Sequence, residues 1–343
     1  MADDRVSTSF AARAPFGNGA SIGVGSLPHT DAAAAAAFAI GEFDIATVPT
    51  LPRRTPHAAM LAQAATVLAG AAVSDGELTI DGDLAVEPLP TITEHDAFAD
   101  LASFLDLGAK VRLDGSPVKW QFVGSVTLGR ALVEAGVAPD EAFAVASAVV
   151  ADVVPKIEAA IRAALPNSPQ LVLFDEPWLV DLMTDDFPIP PDHAIDVLSS
   201  AMAAPSTEVV TGVHCCGPFD VATMTAAGPQ VISTPVDDSL LGAAGYLAEF
   251  VDSGGVVAWG VVPTDGPVAD HAHRWWRRLS DLWCALVQRG CDPVQLRQHS
   301  LVSTECGLAG HTVSVARTLT RQTGEVSRHV RDQAAATRLT LGA

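Results

Sequence analysis

Four stretches of the chain concentrate residues able to do chemistry. The first is His214-Cys215-Cys216, which follows the apolar run Glu208–Val213. In an extended segment residues two apart point the same way, so His214 and Cys216 share a face and Cys215 turns from it. The second is Cys306, followed by Gly307-Leu308 and lying just past the run Ser300–Ser303. One imidazole and two thiolates suit Zn2+, and three protein ligands leave a position open for substrate. The same residues also read as a satisfied histidine and two small buried cysteines. The third stretch is Asp175-Glu176-Pro177, after the run Gln170–Phe174. Carboxylates there bind a substrate amine or act as acid and base; as helix-start residues they would bind backbone N–H groups instead. The fourth is Ser26, within GVGSLPHT. Gly25 permits close backbone approach, and Ser26 either receives a substrate carboxylate or makes a turn.

These stretches work together only if the fold gathers them. Strand-like and helix-like segments alternate along the chain. The strand runs are Ser21–Ser26, Ile45–Leu51, Val118–Val126, Gln170–Phe174, Glu208–Val213, Gln230–Thr234, Val256–Val262 and Ser300–Ser303. Most are continuously apolar, as in LVLF and VVAWGVV, which requires burial on both faces, as in a parallel sheet covered by helices. Helices are expected over 31–40, 57–68, 94–105 with Thr93 as N-cap, 128–134, 140–164, 194–203, 219–227, 240–251, 269–289 and 312–336. Glu77–Val86 (ELTIDGDLAV) carries the turn signal DGD between apolar runs and reads as a hairpin. The expected fold is a single (β/α)8 TIM barrel with a β-hairpin insertion between units 2 and 3; an open doubly wound sheet is the alternative. Residues 1–20 are expected to be a flexible segment and 21–343 the catalytic domain.

In a barrel the active site lies at the C-terminal strand ends. Ser26, Ser125, Thr127, Asp175, Glu176, His214, Cys216, Asp237, Asp238, Asp265, Glu305 and Cys306 all fall at or beyond such ends. Cys284 and Cys291 sit with Trp275, Trp276 and Trp283 and read as packing. Arg53-Arg54 reads as a solvated loop, or as a contact for an anionic substrate tail.

Of the 343 residues, 49% are hydrophobic and 17% charged, which excludes a disordered chain. Twenty basic residues against 40 acidic ones give a net charge of -20, which repels phosphate backbones and anionic lipid. Neither nucleic acid nor membrane is therefore expected as a partner. The first twenty residues lack the apolar core of an export signal. Five scattered cysteines do not resemble a disulfide framework and point to a reducing, cytoplasmic setting.

The set GSLPHT, FVGSVTLG, LFDEP, HCCG, VIST and ECGL resembles the C-terminal catalytic barrel of cobalamin-independent methionine synthase. That barrel belongs with uroporphyrinogen decarboxylase and the zinc methyltransferases acting on coenzyme M. In order and spacing the resemblance runs from Ser21 to the last helix. It implies a TIM barrel whose zinc binds and ionises a thiol, which then takes a methyl or alkyl group. It implies His214, Cys216 and Cys306 as zinc ligands, Asp175 on the amino group of homocysteine and Ser26 near its carboxylate, with Glu176 completing the D-E-P segment. The methyl donor would be a folate, a corrinoid protein or another small donor.

The sequence also departs from that pattern. The family's fourth zinc ligand, a glutamate after the sixth strand, has no counterpart in Val231-Ile232-Ser233-Thr234-Pro235; Asp237, Asp238 or water would have to stand in. The histidine after the seventh strand is replaced around Asp265. The acidic turn after the second strand reads Pro49-Thr50-Leu51-Pro52, without a second contact for an amine. The sequence thus leads to a zinc-dependent methyl- or alkyltransferase acting on a small thiol, with homocysteine the first candidate. Two alternatives stay open: a metal-free lyase using Asp175 and Glu176, and a barrel that binds zinc or thiol without turnover.

Overall fold

A computed structural model describes residues 16–74, 76–268 and 272–341, with side chains as far as residue 333. Its elements, in chain order, are β1 (Ala20–Ser21), α1 (Ala32–Gly41), β2 (Ala46–Thr47), α2 (Met60–Ala65), β3 (Leu68–Ser74), β4 (Glu77–Val86), α3 (Ala99–Lys110), β5 (Val118–Val123), α4 (Ser125–Glu134) and α5 (Pro139–Ala164). Then follow β6 (Gln170–Asp175), α6 (Pro191–Met202), β7 (Val210–His214), α7 (Val221–Ala226), β8 (Val231–Pro235), α8 (Ala244–Asp252), β9 (Val256–Val262), α9 (His273–Gln288), α10 (Pro293–Gln298), β10 (Ser300–Thr304) and α11 (Val313–Leu341). Residues 1–15 of the expected flexible segment lie outside the described residues. No described helix is long and apolar enough to cross a membrane.

Eight strands form one parallel sheet in the order β1-β10-β9-β8-β7-β6-β5-β2. Its two edges meet. Ser26 and Thr50 form a parallel bridge, and three backbone bonds cross the seam: Ile45 N–H to Ser21 O at 3.1 Å, Thr50 N–H to Gly25 O at 3.2 Å and Leu27 N–H to Thr50 O at 2.9 Å. The sheet is therefore curled into a TIM-like barrel.

The two-residue period of a strand explains the continuous apolar runs. Leu171, Leu173, Val210, Val231, Val256 and Ala258 pack together in one cluster that fills the lumen, with Phe16 and Leu301. Their neighbours Val172, Phe174, Val213, Ile232, Val257 and Trp259 belong to a second cluster, shared with the helices. Each of these strands so feeds two cores.

The structure moves several sequence boundaries. Glu77–Val86 is one strand, not a hairpin folded about DGD; it pairs antiparallel with Leu68–Ser74. The reversal falls before Glu77, where Gly76 has φ +85°. Gly70 at φ +75° and Gly82 at φ +96° lie where the register shifts, so the DGD glycine serves an irregular strand. The helix expected over 57–68 is cut to Met60–Ala65, because Leu68 already enters β3. The helix expected from Glu94 begins at Ala99 after two 3-10 turns, and Thr93 caps nothing. The third barrel strand stops at Val123, so Ser125 and Thr127 belong to the first turn of α4.

Candidate active site

The register of the sheet sets one layer across the barrel. Val123 pairs with Asp175, Asp175 with His214, His214 with Ser233 and Ser233 with Ala258. Asp175 and His214 are therefore neighbours at the C-terminal ends of β6 and β7. Both follow inward-facing residues at two-residue spacing, so the alternation aims them into the barrel mouth.

His214 is buried, and its Nδ1 lies 2.9 Å from Ser233 Oγ. Its Nε2 is buried without a hydrogen-bond partner. Cys216 is exposed at the rim, while Cys306 is partly covered. The Cys306 thiol donates to the Cys216 sulfur, which pushes Cys306 up, with the nearby His214 ring opposing, and holds Cys216 below the ordinary thiol range. The imidazole also bears directly on Cys306, while no geometric hydrogen bond reaches its Nε2. Cys215 turns away: it is fully buried, its Sγ is 3.9 Å from Pro177 O, and burial pushes its thiol up to about 12.

Among the described residues, no three His, Cys, Asp or Glu side chains already form an assembled metal cage. The three candidate ligands approach through Cys306, which touches both of the others. An orphaned imidazole nitrogen beside two thiols is nevertheless a donor set that fits zinc, and the Ser233 bond to Nδ1 is the kind of support that orients a ligating histidine. Sequence reasoning named Ser233 only within the segment that lacks a glutamate. Its register opposite His214 is the signal that would have found this role.

Asp175 retains some exposure at the rim, but its Oδ1 is buried and unpartnered. Burial pushes its carboxyl up, and the Lys119 charge opposes. Glu176 points elsewhere. It is fully buried and accepts from Val126 N–H at 2.9 Å and Thr127 N–H at 2.6 Å, at the start of α4. Burial raises its carboxyl to about 7 despite those bonds. A Cβ on Gly124 would stand 2.0 Å from Glu176 Oε1, so glycine there makes room for the carboxylate. Both Glu176 oxygens serve the fold, whereas Asp175 keeps free capacity.

Ser26 comes to the site across the seam. Its carbonyl accepts from Leu308 N–H at 2.8 Å. A Cβ on Gly307 would lie 1.9 Å from Ser26 Oγ, so the hydroxyl rests on the turn that carries Cys306. Beneath it lies a residue the motif search missed. Lys119, on β5, is fully buried; its Nζ donates to Val24 O and to Gln121 Oε1, the latter at 2.9 Å. Burial pulls this ammonium below the ordinary lysine range, with the Asp175 charge opposing. The chain has three lysines, and only this one interrupts an apolar strand.

Other candidates are engaged away from the three ligands. Asp237 accepts from Ser239 N–H at 2.8 Å. Glu305 pairs with Arg278 at 3.1 Å, and burial raises its carboxyl with Arg278 opposing. Arg54 binds Asp100 at 2.7 Å and Asp96 at 2.8 Å, which removes it as a solvated anion contact. Cys291 is buried as expected of packing, but Cys284 is exposed on α9 because it falls on the outer face of that helix.

The sequence matches no family profile and no curated protein. The fold does have solved counterparts. One is a B12-independent methionine synthase from Shewanella sp. W3-18-1 in complex with selenomethionine, with a TM-score of 0.64 and 13% identity over 92% of this chain and 98% of that one. Another is a methyltransferase from Methanosarcina mazei, with a TM-score of 0.54 and 14% identity over 93% of this chain and 90% of that one. At these identities the likeness establishes a shared barrel fold and nothing finer.

Proposed function

We propose that this chain is a zinc-dependent methyltransferase of the methionine-synthase kind, which transfers a methyl or alkyl group to a small thiol. Homocysteine is the first acceptor to test, and the donor is a folate or a corrinoid protein. The observation that carries the reading is the partnerless, buried Nε2 of His214 beside the Cys216 and Cys306 thiols, one strand from Asp175. The fold shared with a methionine synthase and a methyltransferase supports it. In this reading residues 21–343 form one catalytic domain of a cytoplasmic protein.

His214, Cys216 and Cys306 would hold the metal, which supplies Lewis acidity that ionises a coordinated thiol at neutral pH. The chain's own residues do the rest. Asp175 accepts hydrogen bonds from a substrate ammonium through its free oxygen. Ser26 offers a hydroxyl to a carboxylate. Ser233 orients the His214 ring through its Nδ1. Glu176 ties the first turn of α4 to the end of β6 and so holds the Asp175 backbone. The apolar lumen below keeps bulk water from the strand ends.

The test is homocysteine binding and methylation with Asp175→Asn. A charge-assisted bond to an ammonium is worth roughly 1.5–3 kcal/mol, so affinity should fall by more than about tenfold with the melting temperature kept. A lowered melting temperature with unchanged thiol affinity would make Asp175 a structural carboxylate and remove it from the site.

A further inference from the structure

The lumen holds a cluster of leucine, valine, isoleucine, alanine and Phe16, and beside it stands a buried ammonium. Lys119 pairs in register with Leu171, deep in the barrel. A buried ammonium costs several kcal/mol unless it is bonded and balanced, and an apolar side chain of similar length would fill the same space more cheaply. Its reason lies in what it binds. Nζ reaches Val24 O and Gln121 Oε1. The Gln121 amide in turn donates to Val48 O at 3.0 Å. It also lies flat against Gly25, where a Cβ would be 2.3 Å from Gln121 Cδ and φ is +141°. Val24 and Val48 belong to the two segments that meet at the seam, beyond the two-residue ladders of β1 and β2.

We infer that Lys119 is a positioning residue: with Gln121 it clamps the ends of the first two strands from inside the barrel and so sets Ser26 against the Cys306–Gly307 turn. The route is short. Lys119 fixes the Val24 carbonyl, Gln121 fixes Gly25 and Val48, and Ser26 follows directly. Ser26 then bonds Leu308 N–H and rests on Gly307. Without the clamp the Ser26–Thr50 bridge and the backbone bonds around it open more readily, and the residue meant to receive substrate loses its fixed place. That last link rests on the proposed function; the clamp itself does not.

The experiment follows backbone amide exchange in the full chain for the wild type, Lys119→Met and Gln121→Met. The reporters are Leu27, Thr50 and Leu308, whose N–H groups bond across the seam or to Ser26. Lys119→Met should speed exchange at all three by about tenfold or more, with β7 to β9 unchanged, and Gln121→Met should do so to a smaller degree. Unchanged exchange at these amides in either folded variant overturns the clamp. Calorimetry then measures binding of homocysteine and of cysteamine, which has no carboxylate. Lys119→Met also removes a charge that favours ionised Asp175 and so weakens amine binding for both thiols; homocysteine affinity should fall about tenfold more than cysteamine affinity, with no further loss when Ser26→Ala is added. Equal losses for both thiols, or losses that add, overturn the route through Ser26. If the wild type binds neither thiol, the functional reading fails, and the exchange pattern alone decides the role of Lys119.

Discussion

The wall from β5 to β9 and the seam between β1 and β2 solve the same problem by different means. In the wall, strands of five to seven residues pair in continuous register, and backbone bonds carry the structure. At the seam each strand has a two-residue ladder, and side chains take over the backbone groups left unpaired. Asp44 accepts from Ser21 N–H at 2.8 Å, Thr47 Oγ1 from Gly23 N–H at 2.9 Å and Asp100 from Leu51 N–H at 2.9 Å. Lys119 and Gln121 take the Val24 and Val48 carbonyls. A buried backbone group must find a partner, so a short ladder requires polar side chains beside it. The candidate metal ligand His214 and Asp175 stand on the regular wall, and Ser26 on the side-chain-tied seam. His214 and Asp175 are therefore held by continuous backbone pairing, whereas the place of Ser26 depends on a few polar side chains.

The largest expected effect breaks the wall where it meets α4. Gly124→Ala drives a methyl group into Glu176 and lifts a buried carboxylate off its two N–H donors. We expect about 3–5 kcal/mol of lost stability in urea titration. A loss below about 1 kcal/mol would mean that Glu176 is not what anchors α4. The seam counterpart is Asp100→Ala, which leaves Arg54 with Asp96 as its remaining carboxylate partner and Leu51 N–H unpaired. Arg54 is 18% exposed, so water recovers part of the loss, and about 2–3 kcal/mol is expected.

The two regions should also answer pH in opposite directions. Burial raises Glu176 from 4.5 to about 7 in the folded wall. The folded state thus holds a proton the unfolded chain has lost, and this contribution to stability falls as pH rises between those values. Burial pushes Asp44 up, but hydrogen bonds from Ser21 and Arg331 outweigh it and hold the carboxyl below its ordinary 3.8. Its contribution is present above that value and is lost as pH falls through the lowered one. In stability-versus-pH curves Glu176→Gln should flatten the upper limb only, and Asp44→Asn the acid limb only. Swapped or shared effects would contradict these environments. The smallest effect belongs to Cys284→Ser, on the exposed side of α9, which should stay within about 0.5 kcal/mol of the wild type.

How much of this was legible follows the same division. Wall strands such as β6 and β9 announce themselves as apolar runs because both of their faces are buried, and Val256–Val262 is matched residue for residue. The strand ends then place Asp175, His214 and Cys306 correctly on the rim. At β3 and β4 the DGD signal misled, since glycine at positive φ serves a bulged strand as well as a turn. Two neighbouring carboxylates carry no label in the sequence. Only the position of α4 sends Glu176 to the backbone and leaves Asp175 free. Lys119 was invisible for a related reason: a lysine in a strand ordinarily faces water, and its burial follows from barrel closure, a long-range event. Ser233 entered the sequence reading only as part of a segment that lacks a glutamate, and its bond to His214 required the register of β7 on β8.

The central claim is that His214, Cys216 and Cys306 form a zinc centre that takes a substrate thiol. Protein purified without chelator, with its metal counted and its zinc-edge X-ray absorption recorded before and after homocysteine, tests this directly. The account predicts about one zinc per chain bound by two sulfurs and one imidazole, and three sulfurs once the thiol is added. It also predicts loss of most of the metal in Cys216→Ser and in Cys306→Ser, but not in Cys284→Ser. Equal metal content in all three variants, or a sulfur count that stays at two with every thiol tried, would contradict it.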